Sequence, residues 1–219
     1  MVDRPIYSGR IMCWVETGKM MPTERSEALA NFRFRPARRE DCADIAALYR
    51  ISSDGVADYI WTRLANPGED LLDVGRRRYE RENSPFSYRS CTMVELEGQT
   101  TGMLVAFAMH VDPSYEEDDP VLRPYSVLEE DNSWYICGMA LHEACRGRGA
   151  GSALLKLAEQ QAEENGFDKL SLIVFEQNEG AVRLYLRKGY REVARETVVP
   201  HPLIHFEGDA LLMIKSLTD

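Results

Sequence analysis

Arg146-Gly147-Arg148-Gly149-Ala150-Gly151-Ser152 joins an apolar run, Trp134 to Leu141, to an amphipathic one, Ala153 to Asn165. Three glycines within five residues let backbone amides converge on one point with no β-carbon in the way. Two arginines flank them and a helix N-terminus follows, so the stretch is built to hold an anion. A strand, a glycine loop and a helix in that order also place the chain among α/β folds. Spacing separates the candidate anions. A Walker loop needs G-x-x-x-x-G-K-S/T, and no lysine stands in this loop. A dinucleotide fingerprint needs G-x-G-x-x-G. Counting from Gly147 ends on Ser152, and counting from Gly149 ends on Leu154. Glu176, after the next strand, keeps a ribose-binding alternative open, and a glycine turn without any ligand is the plainer one.

Working outward, Phe32-Arg33-Phe34-Arg35 alternates as a strand. Ala43 to Ile51 has helical spacing and stops at Asp54-Gly55. Further helices are expected over Val56–Leu64 and Asp70–Glu82. Cys91–Leu96 and Gly102–Val111 read as an antiparallel hairpin joined by Glu97-Gly98-Gln99-Thr100. Past the glycine loop come a helix over 149–165, a strand over Leu170–Phe175 and a helix over Asn178–Lys188. Two closing strands follow, near Tyr190–Val199 and Ala210–Ser216. Pro200-His201-Pro202 between them is too proline-rich for a central strand. The order implies an α/β domain with a mixed sheet. Residues 1–31 read as an N-terminal extension and 32–219 as one domain.

The 219 residues carry a net charge of −10. Eight acids between Asp112 and Asp131, against Arg123 alone, concentrate most of it in one segment. Such a segment draws cationic partners and disfavours nucleic acid, which wants a basic footprint. No apolar run approaches the roughly 20 residues of a membrane span. The N-terminus lacks the apolar stretch of a signal peptide, so a cytoplasmic location is expected. Cys13, Cys42, Cys91, Cys137 and Cys145 make an odd set without C-x-x-C spacing, which offers neither a disulfide framework nor a metal site. Monomer and homodimer both remain open, the latter through the C-terminal strands.

One further spacing fits every position. Arg146-x-x-Gly149-x-Gly151 resembles the Q/R-x-x-G-x-G/A loop of the GNAT superfamily of N-acetyltransferases. Asn178-Glu179-Gly180-Ala181-Val182-Arg183-Leu184-Tyr185-Leu186-Arg187-Lys188-Gly189-Tyr190 resembles the family's N-x-x-A-x-x-L-Y-x-x-x-G-F/Y signature. The resemblance implies an acyl-CoA N-acyltransferase fold, a mixed and mostly antiparallel sheet flanked by helices. It implies acetyl-CoA as co-substrate without metal, and direct transfer of acetyl to a primary amine in a ternary complex. The amides of Gly147 to Ser152, with Arg146 and Arg148, would hold the pyrophosphate. Met139, Ala140 and Leu141 would pair with the pantetheine arm, and Asn178 would reach the coenzyme besides capping its helix. The Leu141 N–H would polarise the thioester carbonyl. Tyr185 would protonate the departing thiolate, a reasonable exchange between a phenol of pKa about 10 and a thiol near 8.5.

The proton acceptor is less legible. An alkylammonium of pKa about 10.4 must lose its proton before attack, which costs roughly 4.6 kcal/mol at pH 7. Several family members place a glutamate about six residues before the Leu141 position, where this chain has Tyr135. Glu143, Glu95, Asp131 or ordered water are substitutes, and any of the four histidines can titrate. His201 and His205, with Tyr135, are read as substrate contacts. The missing glutamate also supports an alternative, a non-catalytic acyl-CoA-binding module, which retention of Tyr185 opposes.

Overall fold

The sheet runs in the order β1-β2-β3-β4-β5-β7-β6, and every neighbouring pair is antiparallel except β4 with β5. The computed structural model describes residues 31–218, so nearly all of the expected N-terminal extension lies outside the described residues. The strands are β1 (Phe32–Pro36), β2 (Cys91–Leu96), β3 (Gln99–Met109), β4 (Ser133–Leu141), β5 (Lys169–Phe175), β6 (Arg191–Thr197) and β7 (Asp209–Ser216). The helices are α1 (Cys42–Ser52), α2 (Val56–Leu64), α3 (Leu71–Tyr79), α4 (Arg123–Val127), α5 (Ala150–Glu164) and α6 (Glu179–Arg187).

Pleating assigns the layers. Successive residues of a strand face opposite sides of the sheet. A β-carbon built on Gly138 would lie 3.2 Å from the Tyr49 ring of α1, while the Met139 side chain reaches Gly151 of α5. α1 and α5 therefore cover opposite faces of β4. α1 carries Ile45, Ala46, Leu48 and Tyr49 into the core, and α5 carries Leu154, Leu155, Ala158 and Ala162. Both sets repeat at helical spacing.

Two expectations are corrected. The β2–β3 connection is shorter than expected, because Gln99 and Thr100 pair with Leu96 and Glu95. Only Glu97 and Gly98 turn, both with positive φ (52° and 77°), a geometry that follows strand twist in two-residue hairpins. The third helix spans Leu71–Tyr79 rather than reaching Glu82. Asp70 caps it by accepting from the Leu72 amide at 2.8 Å. β1 and β6 are the sheet edges, and β6 is almost wholly exposed and rich in charge, a pattern that discourages edge pairing. No helix among the described residues is long and apolar enough to cross a membrane.

Candidate active site

β4 holds β5 only briefly. The parallel pairing covers Trp134↔Leu170, Tyr135↔Ser171 and Ile136↔Leu172 and then stops, although both strands continue. At the same point the β3–β4 register slips between Val105 and Ala106, leaving Cys137 as the extra residue. Both Cys137 and Gly138 consequently face Tyr49: the cysteine sulfur lies 3.5 Å from the Tyr49 hydroxyl. A bulge bends its strand and strengthens local twist, and here it turns β4 away from β5.

Beyond the bulge, one edge of β4 stays on β3 and the other has no strand partner among the described residues. His142 donates to the Thr101 carbonyl at 2.7 Å. Alternation along the ladder then directs Ala140 to β3 as well, and a β-carbon on Gly102 would meet the Ala140 oxygen at 2.4 Å. Met139 and Leu141 present their backbone groups to the open edge. Of the three residues expected to line it, Ala140 is the one whose backbone belongs to β3.

The glycine loop lies at the end of this edge. Gly147 and Gly149 have φ of 72° and 88°, the left-handed region that glycine enters without strain. Gly149 is the N-cap of α5 and supplies no side-chain cap. The amides of the first turn, Ala150 to Ser152, therefore have no intrahelical acceptor. They gather the partial positive charge of a 15-residue helix. The Arg146 Nε donates to the Leu141 carbonyl at 3.0 Å, tying the loop to the strand. Burial pushes its guanidinium below its ordinary pKa, so a neighbouring anion would relieve it. Arg148 lies over the Phe32 ring at 5.5 Å.

Gly151 joins the two motifs. Its missing β-carbon would meet only Leu184 Cδ2 at 3.7 Å and Met139 Cε at 4.0 Å, ordinary contacts. The protein's own packing does not demand glycine there, which suits a position where a ligand approaches the backbone. Leu184 belongs to α6, whose cap is Asn178, accepting from the Ala181 amide at 3.3 Å. Ala181, Leu184 and Tyr185 are fully buried. The Tyr185 hydroxyl has no hydrogen-bond partner among the described residues, although a buried hydroxyl without one costs about 1–3 kcal/mol.

Other candidates lie elsewhere. Tyr135 is a correction: it is fully buried, edge-on to Phe107 at 5.7 Å, and contacts core rather than an acceptor. The bulge is the reason. It reverses the pleat, so Tyr135 faces α1 while Met139 faces α5. Glu95 is paired with Arg35 at 2.5 Å. Asp131 accepts from the Val111 amide at 2.9 Å, which lowers its pKa. Glu143 and His142 are exposed, and His110 packs near Phe167. His201 sits edge-on to Tyr59 at 4.6 Å, and its Nδ1 accepts from the Leu203 amide at 3.2 Å; His205 is exposed.

The acidic segment reaches the same end of the sheet. Tyr125 of α4 packs on Phe175 at 6.0 Å, and Phe206 packs on Phe175 at 5.2 Å. Tyr115, Glu116, Glu117, Asp118 and Arg123 line a hollow of about 370 Å³. Two of the eight acids are neutralised from outside the segment: Asp119 by Arg63, with Tyr59 also donating to it, and Glu130 by Lys169.

Comparison with known proteins agrees with this geometry. A curated Bacillus subtilis relative, the uncharacterized N-acetyltransferase YdgE, is 41% identical over 63 residues, covering 29% of this chain and 40% of the relative. The chloroplastic GCN5-related N-acetyltransferase 10 of Arabidopsis thaliana is 28% identical over 116 residues, 52% of this chain and 44% of the relative. The matches thus span less than half the length of either relative. Among solved structures, an N-acetyltransferase from Staphylococcus aureus Mu50 superposes with a TM-score of 0.60 at 23% identity, over 83% of this chain and 99% of that one. The yncA structure from Salmonella typhimurium, solved with its cofactor acetyl-CoA, gives 0.55 at 18% identity over 86% and 95%. These two likenesses concern the fold. A profile of the acetyltransferase (GNAT) family matches residues 57–190, which hold the bulged strand, the glycine loop and the Asn178–Tyr190 signature, and the chain belongs to that family.

Proposed function

We propose that this protein transfers acetyl from acetyl-CoA to a primary amine by direct attack in a ternary complex. The observation that carries the reading is the unpaired edge of β4 after Cys137, running into a glycine loop at a helix N-terminus. The residues present fit the coenzyme: an anion cradle, an open backbone edge, space above Gly151, and a buried hydroxyl without a partner. Acetyl-CoA, when bound, supplies an acetyl group activated as a thioester.

The chain's own groups supply the rest. The amides of Gly147 to Ser152, assisted by Arg146 and Arg148, bind phosphate oxygens. Met139 and Leu141 offer backbone groups to an extended amide-bearing arm, and the Leu141 N–H is directed where a carbonyl oxygen gaining charge can be stabilised. Asn178 fixes the start of α6. Tyr185, itself fully buried, then holds a proton for the sulfur. The hollow lined by Glu116, Glu117 and Asp118 favours a cationic acceptor such as a polyamine or a lysine-like amine.

A non-catalytic acyl-CoA-binding module draws support from Tyr135 in place of a glutamate. The partnerless Tyr185 hydroxyl favours catalysis over it. A panel of amines with acetyl-CoA, read by release of free thiol and paired with calorimetry, separates the two. Turnover supports transfer, and tight binding without turnover on any amine supports the module.

A further inference from the structure

Asp54 lies in the turn between α1 and α2, and contacts on either side of it reach both strands of the cleft. Towards β4, the end of α1 covers Gly138: a β-carbon there would lie 3.2 Å from the Ser52 Oγ and from the Tyr49 ring. Towards β5, the His205 amide donates to the Asp54 carbonyl at 2.9 Å. The adjacent Phe206 ring packs on Phe175 at the end of β5. The α1–α2 turn that carries Asp54 is therefore held between the elements on either side of the opening where β4 separates from β5.

Its side chain is unlike the other carboxylates around it. Asp58 is paired with Arg50, and Asp119 with Arg63 and Tyr59. Glu176 faces Arg195. The Asp54 Oδ2 is buried and has no hydrogen-bond partner among the described residues. The residue also holds φ at 48°, a conformation non-glycine residues adopt sparingly and aspartate tolerates better than most. Of the histidines nearby, His201 is engaged with Tyr59 and the Leu203 amide, and His205 is exposed.

We propose that Asp54 is the proton acceptor for the incoming amine, its carboxylate facing the acceptor ammonium at the mouth of the cleft. The inference rests on the amine-acetylation reading. A proton passes from the ammonium nitrogen to Asp54, and the freed lone pair forms the C–N bond. The C–S bond breaks, and the Tyr185 hydroxyl protonates the sulfur. The second proton shed by nitrogen restores Tyr185, and Asp54 releases its own to water. One proton is liberated per acetyl group transferred. An ordinary aspartate is a weak base for this task. Burial pushes the Asp54 carboxyl up to about 7, near the working pH where a base is most effective. The group also fills the role left open by Tyr135.

The test combines the pH profile of kcat/KM for an active amine with direct titration of the Asp54 carboxyl by carbon-13 NMR. In the wild-type protein the resonance should titrate near 7, and activity should fall on the acid side with it. Asp54→Asn should lower kcat at pH 7 by about 10²-fold or more, leave acetyl-CoA affinity unchanged and recover with rising pH as free amine accumulates. Asparagine suits the left-handed backbone, so the variant should fold. If it does not, the wild-type titration decides alone, and a midpoint near 4 overturns the proposal. Wild-type turnover with an unaltered acid limb in Asp54→Asn overturns the role of Asp54 only. No wild-type turnover on any amine overturns the acetyl-transfer reading and this inference together.

Discussion

Gly55→Ala should loosen the acceptor side of the cleft while sparing the donor side. Gly55 has φ of 96°, and a β-carbon there would lie 1.7 Å from the Leu203 carbonyl oxygen and 2.7 Å from its carbon. Those are backbone atoms, so no rotamer change relieves the overlap and the segment after β6 must move away. The left-handed conformation costs a non-glycine residue about 1–2 kcal/mol. Displacing the segment also breaks the hydrogen bond from His205 to Asp54, which contributes about 0.5–1.5 kcal/mol. Together they give about 2.5 kcal/mol, or a fall in Tm of roughly 5–10 °C for a domain of this size. Gly68→Ala is the internal control. Gly68 has φ of 78° with nothing within 4 Å of a built β-carbon, so it isolates backbone strain, about 1–2 kcal/mol. Differential scanning calorimetry gives the two stabilities, and titration with acetyl-CoA gives the donor affinity, which should match wild type in both. A loss in Gly55→Ala no larger than in Gly68→Ala would refute the docking of the α1–α2 turn against Leu203.

Tyr185→Phe should lower kcat by about 10²-fold with little change in acetyl-CoA affinity; an unchanged kcat removes the hydroxyl from the reaction. Gly151→Ala should keep the fold intact and raise stability by about 1 kcal/mol or less, because the position is helical without a positive φ and its new contacts are of ordinary length. Gly151→Val should fill the space above the loop and weaken acetyl-CoA binding in calorimetry, and equal affinity would show that no ligand approaches there. Raising ionic strength to about 0.5 M should increase KM for a dicationic amine more than for a neutral one; equal responses would separate the acidic segment from recognition. Folded Asp54 keeps its proton to about 7, against an ordinary value of 3.8, so between those values the unfolded chain binds fewer protons and stability falls as pH rises. Asp54→Asn should therefore exceed wild type in denaturant stability at pH 8, by roughly 3 kcal/mol or less, and lose that advantage near pH 4. A constant difference across the range would contradict the burial.

The elements of the proposed donor half were legible because their residues act locally. Gly147 and Gly149 are needed for backbone shape, Gly151 leaves space above the loop, and Asn178 caps its helix, and all three requirements show in spacing alone. The family resemblance rests on those same positions. The acceptor half was not legible, because its geometry is set across the sheet. Asp54-Gly55 reads as a helix stop, and it is one, but the segment docked on it, with Leu203 against Gly55 and the His205 amide on the Asp54 carbonyl, lies far along the chain. α4 escaped notice because Arg123–Val127 is one short turn among prolines and acids, with no periodicity to detect. The shorter β2–β3 turn was hidden by the polar residues Gln99 and Thr100, which belong to the ladder.

Tyr135 shows how a single residue can mislead a reading by position. In an unbroken strand, residues 135, 137, 139 and 141 share one face, and a tyrosine six residues before Leu141 would look towards whatever Met139 and Leu141 look towards. The extra residue at Cys137 breaks that count. It opens β4 from β5, freeing the backbone edge that a donor can use, and the same bulge sends Tyr135 into the packing under Tyr49. The feature that opens the proposed donor edge thus turns the nearest strand side chain away from it. A proton acceptor must then come from an element laid across the mouth, and the α1–α2 turn, clamped against Leu203 and His205, brings Asp54 there.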